Sequence, residues 1–362
     1  MKEYPTLVLY LETVRSRDRL IEKPHLLGMT SSELEELAES LGEPKFRGRQ
    51  IAKWLYKHNA TSLDEMTDLP LSLRERLKEA AVLYRARIVN RSVSRDGTTK
   101  LLLELEDGQT IESVLIPYED RVSVCVSTQV GCVVRCIFCA TGISGFARNL
   151  TAGEIVDEVL TCQKETPRRV SHVVYMGMGE PLLNHENVLK SIQILNKEVG
   201  ISMRHITIST IGITPQIRRL AEEKLQLTLA VSLHAPDDML RRQIIPFAAR
   251  YPLQDLIEAC KEYAETTGRR ITFEYLLIRN INDSISHARK LANLLKGILC
   301  NVNLIPYNAV EGLELDRPSQ ARVRAFRSVL EESGITVTQR VERGHAISAA
   351  CGQLRRRSQL PN

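Results

Sequence analysis

The chain has 362 residues, 43% of them hydrophobic, and 49 basic against 44 acidic side chains give a net charge of +5. That length supports one large core plus a small accessory domain, and the composition excludes disordered and collagen-like classes. No apolar stretch approaches a membrane span, and "MKEYPTLVLYLETVRSRDRL" lacks the layout of a secretion signal, so a soluble cytoplasmic protein with no membrane partner is expected. In a reducing compartment the eight cysteines point to metal or catalytic roles before disulfide frameworks.

Taken in chain order, residues 1–28 have weak periodicity and read as an arm. Residues 29–84 read as a small helical accessory domain. "TSSELEELAESLG" offers Thr30, Ser31 and Ser32 as N-caps and Gly42 as a stop, and two further apolar-periodic segments are split by "DLP". Residues 85–120 read as a β meander, with Asp96-Gly97 and Asp107-Gly108 marking its turns. Residues 121–345 alternate strand candidates ("RVSVCVS", "VSHVVYM", "RHITIST", "QLTLAVSL", "RITFEYLLI", "CNVNLIPY") with amphipathic helices such as "TAGEIVDEVLTCQKE", "HENVLKSIQILNKE" and "HARKLANLLKGIL". Such β/α repetition predicts an α/β fold with a parallel sheet, doubly wound or barrel-like. Residues 346–362 form a C-terminal segment. The basic runs "KFRGRQIAKWLYKH" and "QLRRR" suit phosphate contacts, or simply a solvated face.

Ligand sites in parallel sheets gather at the C-terminal strand ends, and the motifs obey that rule. Cys132, Cys136 and Cys139, spaced CxxxCxxC, follow the first strand, and "GMGEP" (177–181) follows the second; Ser209, "SLH" and "PYN" end later strands. Three thiols in eight residues select zinc or an iron–sulfur cluster. Zinc would need a fourth ligand or an open position, with Cys125, Cys162 and Cys351 as candidates. A four-iron cluster held by three thiolates leaves one iron open to a substrate or cofactor. Other residues admit plain structural readings: "GMGEP" as a tight turn, His234 as a hydrogen-bonded core histidine, Asn308 as a turn residue, Cys125 as an inward strand position, Glu112 as a strand carboxylate and Cys351 as a small packing residue. Cys162, Cys260 and Cys300 lack motif partners and read as structural.

Beyond these readings, "VSTQVGC", "FCATG", "GFARNLTAGEI", "HVVYMGMGEPLLN", "LAVSLHAP", "IPYN" and "AACGQL" together resemble the RlmN/Cfr family of radical S-adenosylmethionine RNA adenosine methyltransferases, over residues from about 30 to 354. The resemblance implies a partial (β/α)6 radical-SAM barrel behind a small N-terminal helical domain and a β-meander linker. It implies one four-iron–four-sulfur cluster on Cys132, Cys136 and Cys139, and two S-adenosylmethionine molecules per turnover held by Gly179, Glu180, Ser209, Ser232, Leu233, His234 and Asn308. It makes Cys351 the methyl carrier, Glu112 the base that removes an adenine proton, and Cys125 the thiol that releases the product by forming a disulfide with Cys351. The implied substrates are an adenosine of 23S ribosomal RNA and one beside the tRNA anticodon, methylated at C2, with C8 as the alternative. Flavodoxin or ferredoxin is the implied electron donor. Arg135 and Ser348 depart from residues common in that family.

Overall fold

The computed structural model describes residues 23–354 except 311, 341–342, 345–346 and 351. The N-terminal part packs three helices: α1 (Ser31–Ser40), α2 (Phe46–Tyr56) and α3 (Leu71–Ala80). Of the three N-cap candidates Thr30 serves, in a capping box with Glu33, so two orphan N–H groups at the helix start are satisfied reciprocally. The last residues of the expected arm are packed: Leu26 is fully buried, and its N–H donates to the Val82 carbonyl at 2.8 Å. Two apolar side chains in "HLLG" are too short a run for a period to show, yet enough to anchor the strand.

Three antiparallel strands follow, β1 (Arg87–Val93), β2 (Thr99–Glu104) and β3 (Thr110–Pro117). They do not stand apart as a linker. β3 pairs antiparallel with β4 (Val122–Cys125), so the meander is one wing of a ten-stranded sheet. From β4 the sheet runs parallel through β7 (His172–Tyr175), β8 (Ile206–Thr210), β9 (Thr228–Ser232), β10 (Ile271–Leu277) and β11 (Cys300–Pro306) to β12 (Thr336–Gln339). β12 is a seventh parallel strand beyond the six expected. Its four residues alternate polar with a single buried Val337, a pattern too short to stand out.

Helices cover the sheet: α5 (Ala152–Lys164), α6 (His185–Ile194), α7 (Thr214–Glu222), α8 (Asp238–Ile244), α9 (Leu253–Thr267), α10 (Ile285–Leu294) and α11 (Gln320–Glu332). α5 opens on a second capping box, Thr151 with Glu154. Its buried Asp157 accepts hydrogen bonds from Arg85 Nε at 2.5 Å and the Ala86 N–H at 2.6 Å. These join the start of the meander to the barrel. The helical domain docks on the same helix: a Cβ at Gly28 would stand 2.6 Å from the Gly153 nitrogen, so this contact is closed to any side chain. Asn59 adds a 2.7 Å hydrogen bond to the Leu160 carbonyl.

Candidate active site

Between β4 and α5 the chain forms a short ribbon, β5 (Gln129–Gly131) paired antiparallel with β6 (Phe146–Asn149), which the sequence reading missed. The ribbon closes the base of the cysteine loop, with a four-residue helix α4 (Ala140–Ile143) inside it. The Cys132 N–H donates to the Gly145 carbonyl at 2.9 Å, and the Ile137 N–H to the Ile244 carbonyl at the end of α8 at 3.1 Å. At Gly131 the strands meet so closely that a Cβ would lie 1.8 Å from the Gly145 oxygen. Arg135, one of the two departures, sits between the cysteines in the left-handed region at φ 55°.

All three cysteines line one cavity, and the strand ends supply the rest of its wall. Cys125 comes from β4, Tyr175 and Gly177 from β7, Ser209 and Thr210 from β8, and Ser232 from β9; Leu276, Ile305 and Arg340 come from β10, β11 and the end of β12. The C-terminal segment closes it with Ala349, Ala350, Gly352 and Leu354. Two hydrogen bonds bolt that segment to the cysteine loop: Ala140 N–H to the Gly352 carbonyl at 2.8 Å, and Thr141 Oγ1 to the Leu354 carbonyl at 2.6 Å. Cys351 itself lies outside the described residues, but both of its neighbours face the cavity. The expected Cys125–Cys351 pairing falls outside them with it, as do the arginines of "QLRRR".

Burial pushes the Cys132 thiol up to about 12 and, outweighing the Arg241 guanidinium, pushes the Cys136 thiol well above its ordinary value. Thiolates on a single zinc would stand about 3.8 Å apart, from Zn–S bonds near 2.3 Å. Among the described residues no three Cys, His, Asp or Glu side chains are gathered for one ion. Three soft donors lining one cavity suit an iron–sulfur cluster in which each thiol takes a different iron.

The expected cofactor residues divide. Gly179, Glu180, Ser209, Ser232 and His234 line the cavity. Leu233 is fully buried behind the wall, where its N–H donates to the Glu274 carbonyl. Asn308 also sits behind the wall, next to Tyr307, and its buried Oδ1 has no hydrogen-bond partner among the described residues. An orphaned acceptor beside a cavity is a place for a polar ligand group. Gly177 and Gly179 are required by packing: a Cβ would lie 2.6 Å from the Val126 oxygen and 2.6 Å from the Gln129 side chain, respectively. The Glu180 carboxylate accepts the Leu182 N–H at 3.0 Å and the Ile211 N–H at 2.8 Å, stapling β7 to β8; burial raises its pKa to about 7. His234, at φ 57°, accepts the Leu276 N–H on Nδ1 at 3.1 Å, so the neutral ring carries its proton on Nε2. Burial lowers its pKa to about 3.

Glu112 is not on the cavity wall. It points to the same face of β3 as Ile116, which is, but it is buried four residues away along the strand, in an ion pair with Lys100 at 3.1 Å. Sequence reasoning missed Glu274 and Arg340, which do line the cavity; Asn303 donates to Glu274 at 2.8 Å. A lone carboxylate within the apolar run "ITFEYLLI" was the available signal for Glu274.

The basic N-terminal run is partly spent on its own domain. Arg47 donates to Gln50 and the Asp68 carbonyl, and Arg49 pairs with Glu35, while Lys53 and Lys57 stand exposed. Among the described residues no helix is long and apolar enough to cross a membrane.

Comparison with known proteins bears on this geometry. Residues 126–292 match the radical SAM superfamily, and residues 24–83 match the ribosomal RNA large subunit methyltransferase N-terminal domain. The chain is 53% identical to the "Probable dual-specificity RNA methyltransferase RlmN" of Gloeobacter violaceus, over 92% of this chain and 95% of that protein. It is 50% identical to the protein of the same name from Desulforamulus reducens, over 94% and 98%. The crystal structure of a radical SAM methyltransferase from Sphaerobacter thermophilus superposes with a TM-score of 0.88 at 47% identity, covering 91% of this chain and 99% of that one. With half its residues shared across nearly its whole length, the chain belongs to the RlmN family of radical SAM RNA methyltransferases.

Proposed function

We propose that this enzyme methylates C2 of an adenosine in 23S ribosomal RNA, and of an adenosine beside the tRNA anticodon, passing the methyl group through Cys351. The observation that carries the reading is one cavity shared by the three loop cysteines, by Cys125 and by both neighbours of Cys351. A ring carbon between two nitrogens is electron-poor and has no lone pair for ordinary methyl transfer. One four-iron–four-sulfur cluster with S-adenosylmethionine, when bound, supplies radical chemistry that needs no such lone pair.

The chain's own residues do the rest. Cys132, Cys136 and Cys139 would hold the cluster, three protein ligands for four irons. Ser209, Ser232, His234 and the Asn308 oxygen hold the cofactor's polar groups, and Gly179 admits it close to the backbone. Cys351 accepts a methyl group on sulfur and presents its carbon to the adenine. Glu112 takes the ring proton from the resulting enzyme–RNA adduct. Cys125 then attacks the Cys351 sulfur: the S–S bond forms, the sulfur–carbon bond breaks, and the released pair takes up a proton to leave a methyl group on the base. A thiol reductant must reopen the disulfide, and a flavodoxin- or ferredoxin-type donor must supply electrons to the cluster.

The target adenine must be unpaired or splayed to reach this rim. Lys53 and Lys57 then serve phosphates, on an RNA met in the cytoplasm. The test is to incubate unmodified ribosomal RNA and tRNA with reduced enzyme and map the product by nucleoside mass spectrometry. 2-Methyladenosine at one position of each RNA is expected; 8-methyladenosine, or no RNA product, would overturn the reading.

A further inference from the structure

Lys100 is an ammonium inside a sheet of apolar neighbours, in the run "TTKLLLEL". Its side chain is 7% exposed and that of Glu112 1%, so neither ion is compensated by water. Lys100 Nζ meets Glu112 Oε1 at 3.1 Å and donates to the Ser348 carbonyl at 3.1 Å. Ser348 is held in the left-handed region at φ 51°, where an L-residue costs about 1–2 kcal/mol relative to its ordinary conformations. It persists because the segment is fixed on either side: the Ala349 N–H donates to the Gly344 carbonyl at 3.0 Å, and the Gly344 N–H to Asp96 Oδ2 at 3.1 Å.

Register explains the meeting. Lys100 on β2 pairs with Val114 on β3, and Val114 pairs with Cys125 on β4, so Lys100, Glu112 and Cys125 share one face. The Ser348 segment lies over that face. Among the described residues, Glu104, on the β2 flank, pairs with Arg87, and Glu158, on the opposite face, accepts from Ser113 and the Ser127 N–H. Relative to apolar residues of the same size, a buried ion pair adds little stability. What it adds here is geometry. One ammonium ties a strand carboxylate to the backbone three residues before Cys351.

We propose that Lys100 is a positioning residue for methyl transfer, holding the Glu112 carboxylate in register with the segment that carries Cys351. This rests on the roles of Glu112 and Cys351 in the reading above. Four substitutions separate the two. Lys100→Met is expected to fold and to load methyl on Cys351, seen by peptide mass spectrometry. Its RNA KM should stay within about twofold, while kcat falls about 10- to 100-fold, the scale of a base misplaced by roughly an ångström. A covalent protein–RNA species should accumulate on denaturing gels, and should do so more fully in Glu112→Gln. Lys100→Arg, which keeps charge and donors, should recover kcat to within about threefold of the parent. If Lys100→Met fails to fold, Lys100→Gln, which keeps a donor for Ser348 but no charge, carries the same measurements. Parental kcat in the uncharged variant beside a blocked Glu112→Gln would overturn the role of Lys100 and leave the function standing. Parental kcat in Glu112→Gln would overturn the base role of Glu112, and with it the role of Lys100, while the methylated product would leave the function standing.

Discussion

Gly131→Ala isolates the mechanical basis of the cysteine loop. The new Cβ would lie 1.8 Å from the Gly145 carbonyl oxygen and 3.1 Å from the Phe146 Cα, both backbone atoms that no rotamer change can move. Gly131 also has φ +82°, which costs an L-residue about 1–2 kcal/mol. Forcing the ribbon apart to relieve the overlap adds about 1–3 kcal/mol, as overpacking does. The Cys132 N–H to Gly145 bond, about 1 kcal/mol, is lost with it. Together these come to about 3–6 kcal/mol, concentrated on a two-stranded ribbon with little else to hold it. Gly145→Ala is the control: its φ is +74°, yet a Cβ there meets nothing within 4 Å, so only the backbone cost remains. Iron per chain after anaerobic reconstitution is the assay, with thermal melting alongside. Gly131→Ala should lose most of its iron while Gly145→Ala keeps nearly all. Equal iron content in the two would refute the claim that strand contact at Gly131 sets the loop.

Other perturbations follow from the same distances. Between pH 6.5 and about 3 the unfolded chain takes up a proton at His234 that the folded chain refuses, so stability falls as the pH drops below 6.5. His234→Gln should therefore flatten the stability–pH slope between pH 6.5 and 5 by up to about 1.4 kcal/mol per unit, measured by urea unfolding; an unchanged slope would contradict the burial of a neutral ring. Arg85→Met leaves the Asp157 carboxylate buried without its cation, which should cost about 3–5 kcal/mol and expose the junction at residues 81–86 to proteolysis. A melting temperature equal to the parent's would show that the pair does not hold the meander to the barrel. Lys53→Glu with Lys57→Glu should weaken RNA binding and reduce the salt slope by about one unit per lost phosphate contact, as filter binding across salt concentrations reports. An unchanged slope would place the RNA elsewhere.

The β/α alternation was legible because each parallel strand is a short apolar run and each long helix has a 3.6-residue stripe. Thr30 was readable among the cap candidates for a similar reason, since the capping box is local chemistry. The rim rule put the cysteine loop, "GMGEP" and the serines at one rim of the sheet, which is where the cavity lies. What the sequence hid was long-range. Nothing near "TTKLLLEL" announces that Lys100 will meet Ser348, 248 positions away. Nor does "SLH" say that Leu233 faces the core while His234 faces the cavity, because only the left-handed turn at His234 decides it. The glycines of "GMGEP" suggested ligand approach, and their closest constraint proved to be the neighbouring strand. Glu112 carried a motif but no hint of its burial, which depends on a C-terminal segment folding back across the sheet.

The route of the methyl group is tested most directly in a single turnover. Enzyme carrying a deuterium-labelled methyl on Cys351 is freed of excess cofactor, then mixed anaerobically with target RNA, reductant and unlabelled S-adenosylmethionine. The first equivalent of methylated adenosine should carry deuterium from the enzyme. A first equivalent without deuterium, its methyl drawn wholly from the added cofactor, would contradict passage through Cys351.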